Sequence, residues 1–232
     1  NLSAPRTDDL YVLPVTDLST IKAETSDSFD LGYRFQSSDL ILAATAWYSN
    51  FDNRIERSYD QDTGASFSAN IGSVKLWGAD FEAGWTPTEE LSFIFSTSYK
   101  DSEIQSNIPS GSSTFYATRG KQLYNAPDWT VAGRVQYESG PLLVGAQAKY
   151  VGQRWTNLTN TERAPAYTTV DFDARWNFGE LMSENNHAYL QFNLTNVFDE
   201  YYLGTISTNI DGTALFNLGA PRTALLTLGL DF

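Results

Sequence analysis

Hydrophobicity in this chain alternates residue by residue over most of its length, and few folds accept that pattern. In 142–150, Leu142, Val144, Ala146, Ala148 and Tyr150 fall on one face, with Gln147 and Lys149 on the other. In 129–137, Trp129, Val131, Val135 and Tyr137 oppose Thr130, Arg134 and Gln136. In 168–178, Val170, Phe172, Ala174, Trp176 and Phe178 oppose Asp171, Asp173, Arg175 and Asn177. In 188–195, Ala188, Leu190, Phe192 and Leu194 oppose Tyr189, Gln191 and Asn193, and Ala224, Leu226, Leu228, Leu230 and Phe232 form a last stripe. A period of two belongs to half-buried β-strands, because successive side chains point to opposite faces. Further strands are expected over 24–36, 39–51, 67–86 and 90–104, about nine in all, and in 39–51 both faces are apolar enough to leave the facing open.

The same alternation serves a soluble sandwich, apolar face inward, and a membrane barrel, apolar face outward. The links discriminate. Those near Ser37, Pro87 and Gly140 are short, whereas 52–66, 105–125, 152–166 and 197–217 are long and polar. Short and long alternate strictly, except that 179–187 is of medium length where a short link is expected. Outer-membrane barrels have short periplasmic turns and long extracellular loops, which produces this rhythm. Aromatics lie near strand ends (Trp85, Tyr99, Trp129, Tyr137, Tyr150, Trp155, Trp176 and Phe178), as the two interfacial girdles of such a barrel require. The fold expected is therefore all-β, a membrane-spanning antiparallel β-barrel. The last strand then runs inward and leaves Phe232 on the periplasmic side.

Composition narrows function by exclusion. There is no cysteine, so no thiolate metal site or cysteine nucleophile, and His187 is the single histidine, so a multi-histidine metal site is ruled out. A net charge of −13 argues against a nucleic-acid face. The longest apolar run, Leu40 to Tyr48, is too short for a spanning helix of about 20 residues. Nine strands also leave two open edges, which hydrocarbon does not tolerate. The sequence is therefore expected to be the C-terminal part of a larger barrel.

Specific motifs sharpen the class. The run Gln191-Phe192-Asn193-Leu194-Thr195-Asn196-Val197-Phe198-Asp199-Glu200-Tyr201-Tyr202 resembles the penultimate-strand motif of TonB-dependent receptors, an N-L-x-N-[LV]-F-[DN] core followed by paired tyrosines. Gly219-Ala220-Pro221-Arg222-Thr223 through Phe232 resembles that family's last strand. Three further stretches resemble its strands, in order: Ile21 to Tyr33; Asn70 to Glu82, with Asp80 where Glu is usual; and Asn125-Ala126-Pro127. The resemblance implies an energy-coupled outer-membrane receptor of a Gram-negative bacterium, here about nine strands of an expected 22. Its N-terminal plug, its earlier strands and the segment that meets the TonB–ExbB–ExbD complex are not in this sequence. It implies a small nutrient as ligand (a ferric siderophore, haem, cobalamin or an oligosaccharide), with no cofactor, no metal site and no catalytic role.

Candidate residues follow from position. Arg134, Lys149, Asp171, Asp173 and Arg175 face the lumen, where they either contact a plug or form an ion-pair network. The long loops carry Phe115, Tyr116, Arg119, Trp155, Arg163, Tyr201 and Tyr202, aromatic and cationic groups suited to ligand capture or else to packing the loops. Leu226, Leu228, Leu230 and Phe232 resemble the signal read by the barrel-assembly machinery. Phe198 is expected to pack at the outer rim, Asn196 to satisfy backbone groups where the strand ends, and Arg222 to reach an acidic group. The alternatives are a passive porin, an outer-membrane enzyme built on His187, and a soluble acidic β-sandwich.

Overall fold

The computed structural model describes residues 2–3, 22–59, 66–70, 72–109, 115–180, 187–208 and 214–231. Nine long strands carry it: β1 (Glu24–Gln36), β2 (Leu40–Asp52), β3 (Val74–Trp85), β4 (Leu91–Ile104), β5 (Trp129–Ser139), β6 (Leu142–Val151), β7 (Tyr167–Glu180), β8 (His187–Thr195) and β9 (Thr223–Asp231). Each pairs antiparallel with the next, and the two-residue strand Leu2–Ser3 adds to the outside of β1. The long links follow β2, β4, β6 and β8, so all four lie at one end of the sheet, and each carries a small hairpin of its own.

The register resolves both faces. One row runs Leu31, Ala46, Ala79, Tyr99, Trp129, and lower rows join Val135 to Ala146 and Phe172, then Phe192 to Leu226. This face is apolar from β1 to β9. Among the described residues it packs against no second layer, with Leu31 80% and Leu228 67% exposed. A soluble sandwich would bury these residues, so the observed sheet presents its apolar face outward, as a barrel wall does in lipid. Aromatics border that face at both heights. Tyr99 packs on Trp129 at 5.0 Å toward the loop end, and Trp85 stacks on Phe93 at 5.4 Å toward the turn end.

Three details depart from the expectation. The strand predicted over 67–86 is two: Gly72, at φ 85°, breaks it, and only Val74–Trp85 joins the wall, while Ser66–Asn70 pairs with Ile55–Tyr59 in a loop hairpin. The ambiguous β2 places Leu42, Ala44, Ala46 and Tyr48 on the apolar face and Trp47 on the polar one. Trp155 belongs to a loop hairpin, Arg154–Trp155 with Arg163–Ala164, and not to a girdle. The largest buried apolar cluster lies at the loop end, where Val74, Ile104, Ile108, Leu123 and Leu158 pack against Phe51 and Tyr116. Phe51, Val74 and Ile104 occupy the polar face's outermost row. The loops thus fold onto the inner side of the wall, and their core is small and local.

Candidate functional site

The inner face is built by large polar side chains lying across glycines. Arg134 on β5 and Asp173 on β7 are two strands apart, with Gly145 of β6 between them. With no Cβ at Gly145, the guanidinium crosses the gap and pairs in the two-pronged manner, Nη1 to Oδ1 at 2.7 Å and Nη2 to Oδ2 at 3.0 Å. Nη2 also donates to Gln136 Oε1 at 3.2 Å. The same device recurs twice. Tyr189 lies over Gly229 with the Arg175 guanidinium 3.7 Å from its ring centre, and the Trp47 ring covers Gly78 while its Nε1–H donates to Asp80 Oδ2 at 2.8 Å. Arg175 Nε also donates to Asn177 Oδ1 at 2.9 Å.

Asp171 and Asp173 share a face but not a task. Asp173 holds Arg134, whereas Asp171 Oδ1 accepts the backbone N–H of Asn196 at 2.8 Å. Lys149 lies in the same polar face, between Ala132 and Thr169. The five residues assigned to the lumen therefore share one face. Of them, Arg134 and Asp173 form the ion pair.

Asn196 closes the end of β8. It is buried at φ 50°, a left-handed conformation that Asn tolerates better than most residues. Its Nδ2 donates to the carbonyls of Glu200 and Ala220 at 2.9 and 3.1 Å, and its Oδ1 accepts from Glu200 N at 2.8 Å. One side chain thereby ties the start of the last loop to its end, as expected. Arg222 meets an acid, but through its backbone N–H to Asp199 Oδ1 at 2.9 Å. Phe198 stands 75% exposed just past the loop end of β8.

The loop candidates separate into two groups. Phe115, Arg119 and Tyr201 are exposed, Tyr201 to 82%. The others are engaged within the loops. Trp155 Nε1–H donates to Gln122 Oε1 at 2.7 Å, and the Arg163 guanidinium stacks over its ring at 4.0 Å. Tyr116 packs on the loop core. Tyr202 stacks on Tyr167 at 4.2 Å and covers Gly219. Gln122 also donates through Nε2 to Asp101 Oδ1 at 2.7 Å and reaches Asp128 Oδ1 at 3.4 Å. Burial and the neighbouring Asp101 carboxylate raise Asp128 above the usual carboxylate range, and the Arg163 charge and the Gln122 hydrogen bond pull it partly back.

Sequence reasoning missed Gln122, which ties the β4–β5 loop to the β6–β7 loop, and Arg154, which is buried and donates to the carbonyls of Leu203 and Gly204. Neither carries a local signal. The glycines that Trp47, Arg134 and Tyr189 lie across were readable in principle, but only with the register in hand. Phe232 and the side chain of His187 lie outside the described residues, while Leu226, Leu228 and Leu230 stand on the outer face of β9.

These features define a wall of an outer-membrane β-barrel with loops gathered at its outer end. Residues 1–197 match the model of the "TonB dependent receptor-like, beta-barrel" family, and the chain belongs to that family. It is 26% identical over 223 residues to the ferrioxamine receptor of Yersinia enterocolitica, a match that covers 95% of this chain and 29% of that protein. Its backbone superposes on the ferric yersiniabactin uptake receptor of Yersinia pestis with a TM-score of 0.70 at 20% identity, covering 90% of this chain and 30% of that one. An unliganded ferric citrate transporter gives 0.70 at 21%, covering 90% and 31%. The chain thus spans about 30% of the length of such proteins. As a member of this family it is an outer-membrane β-barrel protein of a Gram-negative bacterium.

Proposed function

We propose that this chain forms the C-terminal wall of an energy-coupled importer of a ferric siderophore, a transporter and not an enzyme, in a barrel of 22 strands with an N-terminal plug. The observation that carries this reading is the likeness to the ferrioxamine receptor along 95% of the chain, on a sheet whose faces are sorted for lipid and lumen. In this reading the polar wall around Arg134 and Asp173 lines the plug, and the plug's N-terminal side passes force from the TonB–ExbB–ExbD complex. Phe115, Arg119 and Tyr201, exposed at the outer end, make the first contacts with ligand, and the Arg163–Trp155 stack adds a cationic aromatic surface. The outer stripe of β9 through Phe232 is the segment the barrel-assembly machinery recognises.

The test is uptake of radioactive iron as ferrioxamine by a Gram-negative host stripped of its own siderophore receptors and supplied with the full receptor. Uptake that needs both the receptor and TonB is the expected result. Uptake without TonB would make the protein a passive pore, and failure with ferrioxamine alongside success with another nutrient would reassign the ligand.

A further inference from the structure

The long loops are joined to one another in the order in which they follow around the wall. Between the β2–β3 and β4–β5 loops, Gln105 N donates to Ser73 O at 2.8 Å, and Gly72 lies against Ser106. Between the β4–β5 and β6–β7 loops, Gln122 N donates to Asn160 Oδ1 at 2.7 Å, and Asn125 N donates to Trp155 O at 2.8 Å. Between the β6–β7 and β8–β9 loops, the buried Arg154 donates to the carbonyls of Leu203 and Gly204. Each loop therefore grips the next. The last one, after β8, has no further loop beyond it among the described residues.

That last loop carries a surface that its own chain leaves bare. Its hairpin pairs Leu203–Thr208 with Ala214–Leu218. Arg154 reaches the first of these strands from the β7 side, so the second is turned toward the open edge of β9. Among the described residues, Ala214–Leu218 pairs with Leu203–Thr208 alone, and its other edge has no ladder partner. The run Ala214-Leu215-Phe216-Asn217-Leu218 is apolar at four of its five positions. Leu215 and Phe216 point to opposite faces, so both faces are apolar, as in a strand that is covered on both sides. Yet Leu215 is 65% and Leu218 57% exposed, and Phe216 is exposed as well. An apolar strand with a free edge is a template for another segment of chain.

We propose that Ala214–Leu218 is the docking strip for the first outer loop of the full receptor, the loop that joins its first two barrel strands, and that this contact closes the outer loops into a ring. The proposal rests on the reading of this chain as the C-terminal wall of a larger closed barrel, and the occupant follows from order within that barrel. When an antiparallel barrel closes, the strand that meets β9 on its free side is the first one. β9 runs inward from Thr223, so that strand runs outward and ends beside Thr223. The loop it leads into starts there, next to Gly219 and the strip that precedes it. It thus stands where each of the other loops finds its successor. The docking segment is extended and apolar, laying side chains against Leu215, Phe216 and Leu218 and adding backbone hydrogen bonds to the free edge.

The experiment uses the full receptor, cleared of any other cysteine, carrying Leu215→Cys, Phe216→Cys or Phe115→Cys, the last an exposed position on the β4–β5 loop. Each is made in the intact receptor and in one whose first outer loop is replaced by a short Gly-Ser turn. Heat-dependent gel mobility confirms that both barrels are closed, so failure of the docking is distinct from failure of the barrel reading. The rate of reaction with a charged maleimide is then measured on the purified proteins. Shortening the loop is expected to speed labelling of Leu215→Cys and Phe216→Cys at least tenfold and to leave Phe115→Cys unchanged. No change at the first two overturns the proposal, because the first outer loop is then not what covers them. An equal rise at all three also overturns it, because it reports a general loosening. Should the shortened receptor not fold, Leu215→Asp with Leu218→Asp in the intact receptor is expected to raise hydrogen exchange in the first outer loop at least tenfold, and unchanged exchange overturns the proposal.

Discussion

Gly145 shows how a single residue type shapes the inner wall. A Cβ there would sit 2.3 Å from Arg134 Nη2 and 2.8 Å from Asp173 Oδ1, so even alanine must displace the ion pair. Gly133, on the outer face, has only the Ile94 carbonyl oxygen at 3.9 Å. Gly145→Ala is expected to destabilise the barrel by about 1–3 kcal/mol, the usual cost of overpacking, while Gly133→Ala changes stability far less. Urea titrations in lipid vesicles compare the two, and equal costs would mean that Gly145 does not serve the pair. Asp128 gives a pH prediction. Its folded pKa lies above that of an ordinary aspartate, mainly through burial and then through Asp101. The protonated acid is thus favoured in the folded loops. The stability it contributes is present below the unfolded value and is lost as pH rises through the folded one. Asp128→Asn should therefore tighten the loop cluster at neutral pH and have little effect at pH 3. Hydrogen exchange of the 122–128 segment at the two pH values reads this out, and a gain equal at both would remove Asp128 as the cause. Such pairings were only half legible beforehand. Period two put Arg134 and Asp173 on one face, but that Gly145 lets them meet depends on register, which alternation alone does not fix. The loop candidates were less legible still. Trp155 and Tyr202 look like free aromatic surface in the sequence, but Trp155 is taken up by Gln122 of another link and by Arg163 of its own hairpin, and Tyr202 by Tyr167 at the start of β7.

At the scale of the strand, the sequence carried nearly everything that the membrane enforces. One face must suit lipid and the other must not, so alternation located eight of the nine long strands to within two residues. The exception, 67–86, failed because Ser66–Asn70 is itself a β-strand, in a hairpin, and only a three-residue break with Gly72 at positive φ separates it from the wall. In β2 both faces are apolar because the inner one carries Trp47, whose polar edge is matched by Asp80 and whose ring needs Gly78. No local rule announces such an inward tryptophan. The facing itself is testable on β6. Ala148 lies between Gly133 and Val170 on the outer face, inside the interfacial rows that Tyr150 and Tyr137 mark, and Gln147 between Arg134 and Asp171 on the inner one. Ala148→Arg places a charge in hydrocarbon and should cost about 2–4 kcal/mol near mid-membrane. Gln147→Arg should cost far less, since the inner face is polar and Asp171 is its direct neighbour. Vesicle unfolding titrations separate the two, and equal losses would reverse the facing.

For the molecule as a whole, the decisive property is that the described sheet does not close. Among the described residues, β1 meets only the two-residue strand Leu2–Ser3 on its far side, and β9 pairs with β8 alone. Both edges therefore present rows of backbone N–H and C=O groups without ladder partners. In water such edges cost little, because solvent satisfies them. In hydrocarbon each unsatisfied group costs several kcal/mol, which is why spanning sheets close on themselves. Ladder partners supplied by further strands remove that cost, whereas bending nine strands into a small barrel would crowd the inner face. Arg134, Asp173, Arg175 and Tyr189 already lie flat across neighbouring strands, and Trp47 does the same on β2. The expected behaviour follows. Refolded alone into vesicles of dilauroyl phosphatidylcholine, the 232-residue chain should not give a protease-resistant monomer with heat-dependent gel mobility. The full receptor, refolded in the same vesicles, should give one. The comparison needs no ligand and no TonB, so it isolates closure from transport. A stable monomeric barrel formed by these residues alone would show that β1 and β9 pair with each other, and the 22-strand reading of the wall would fall with it.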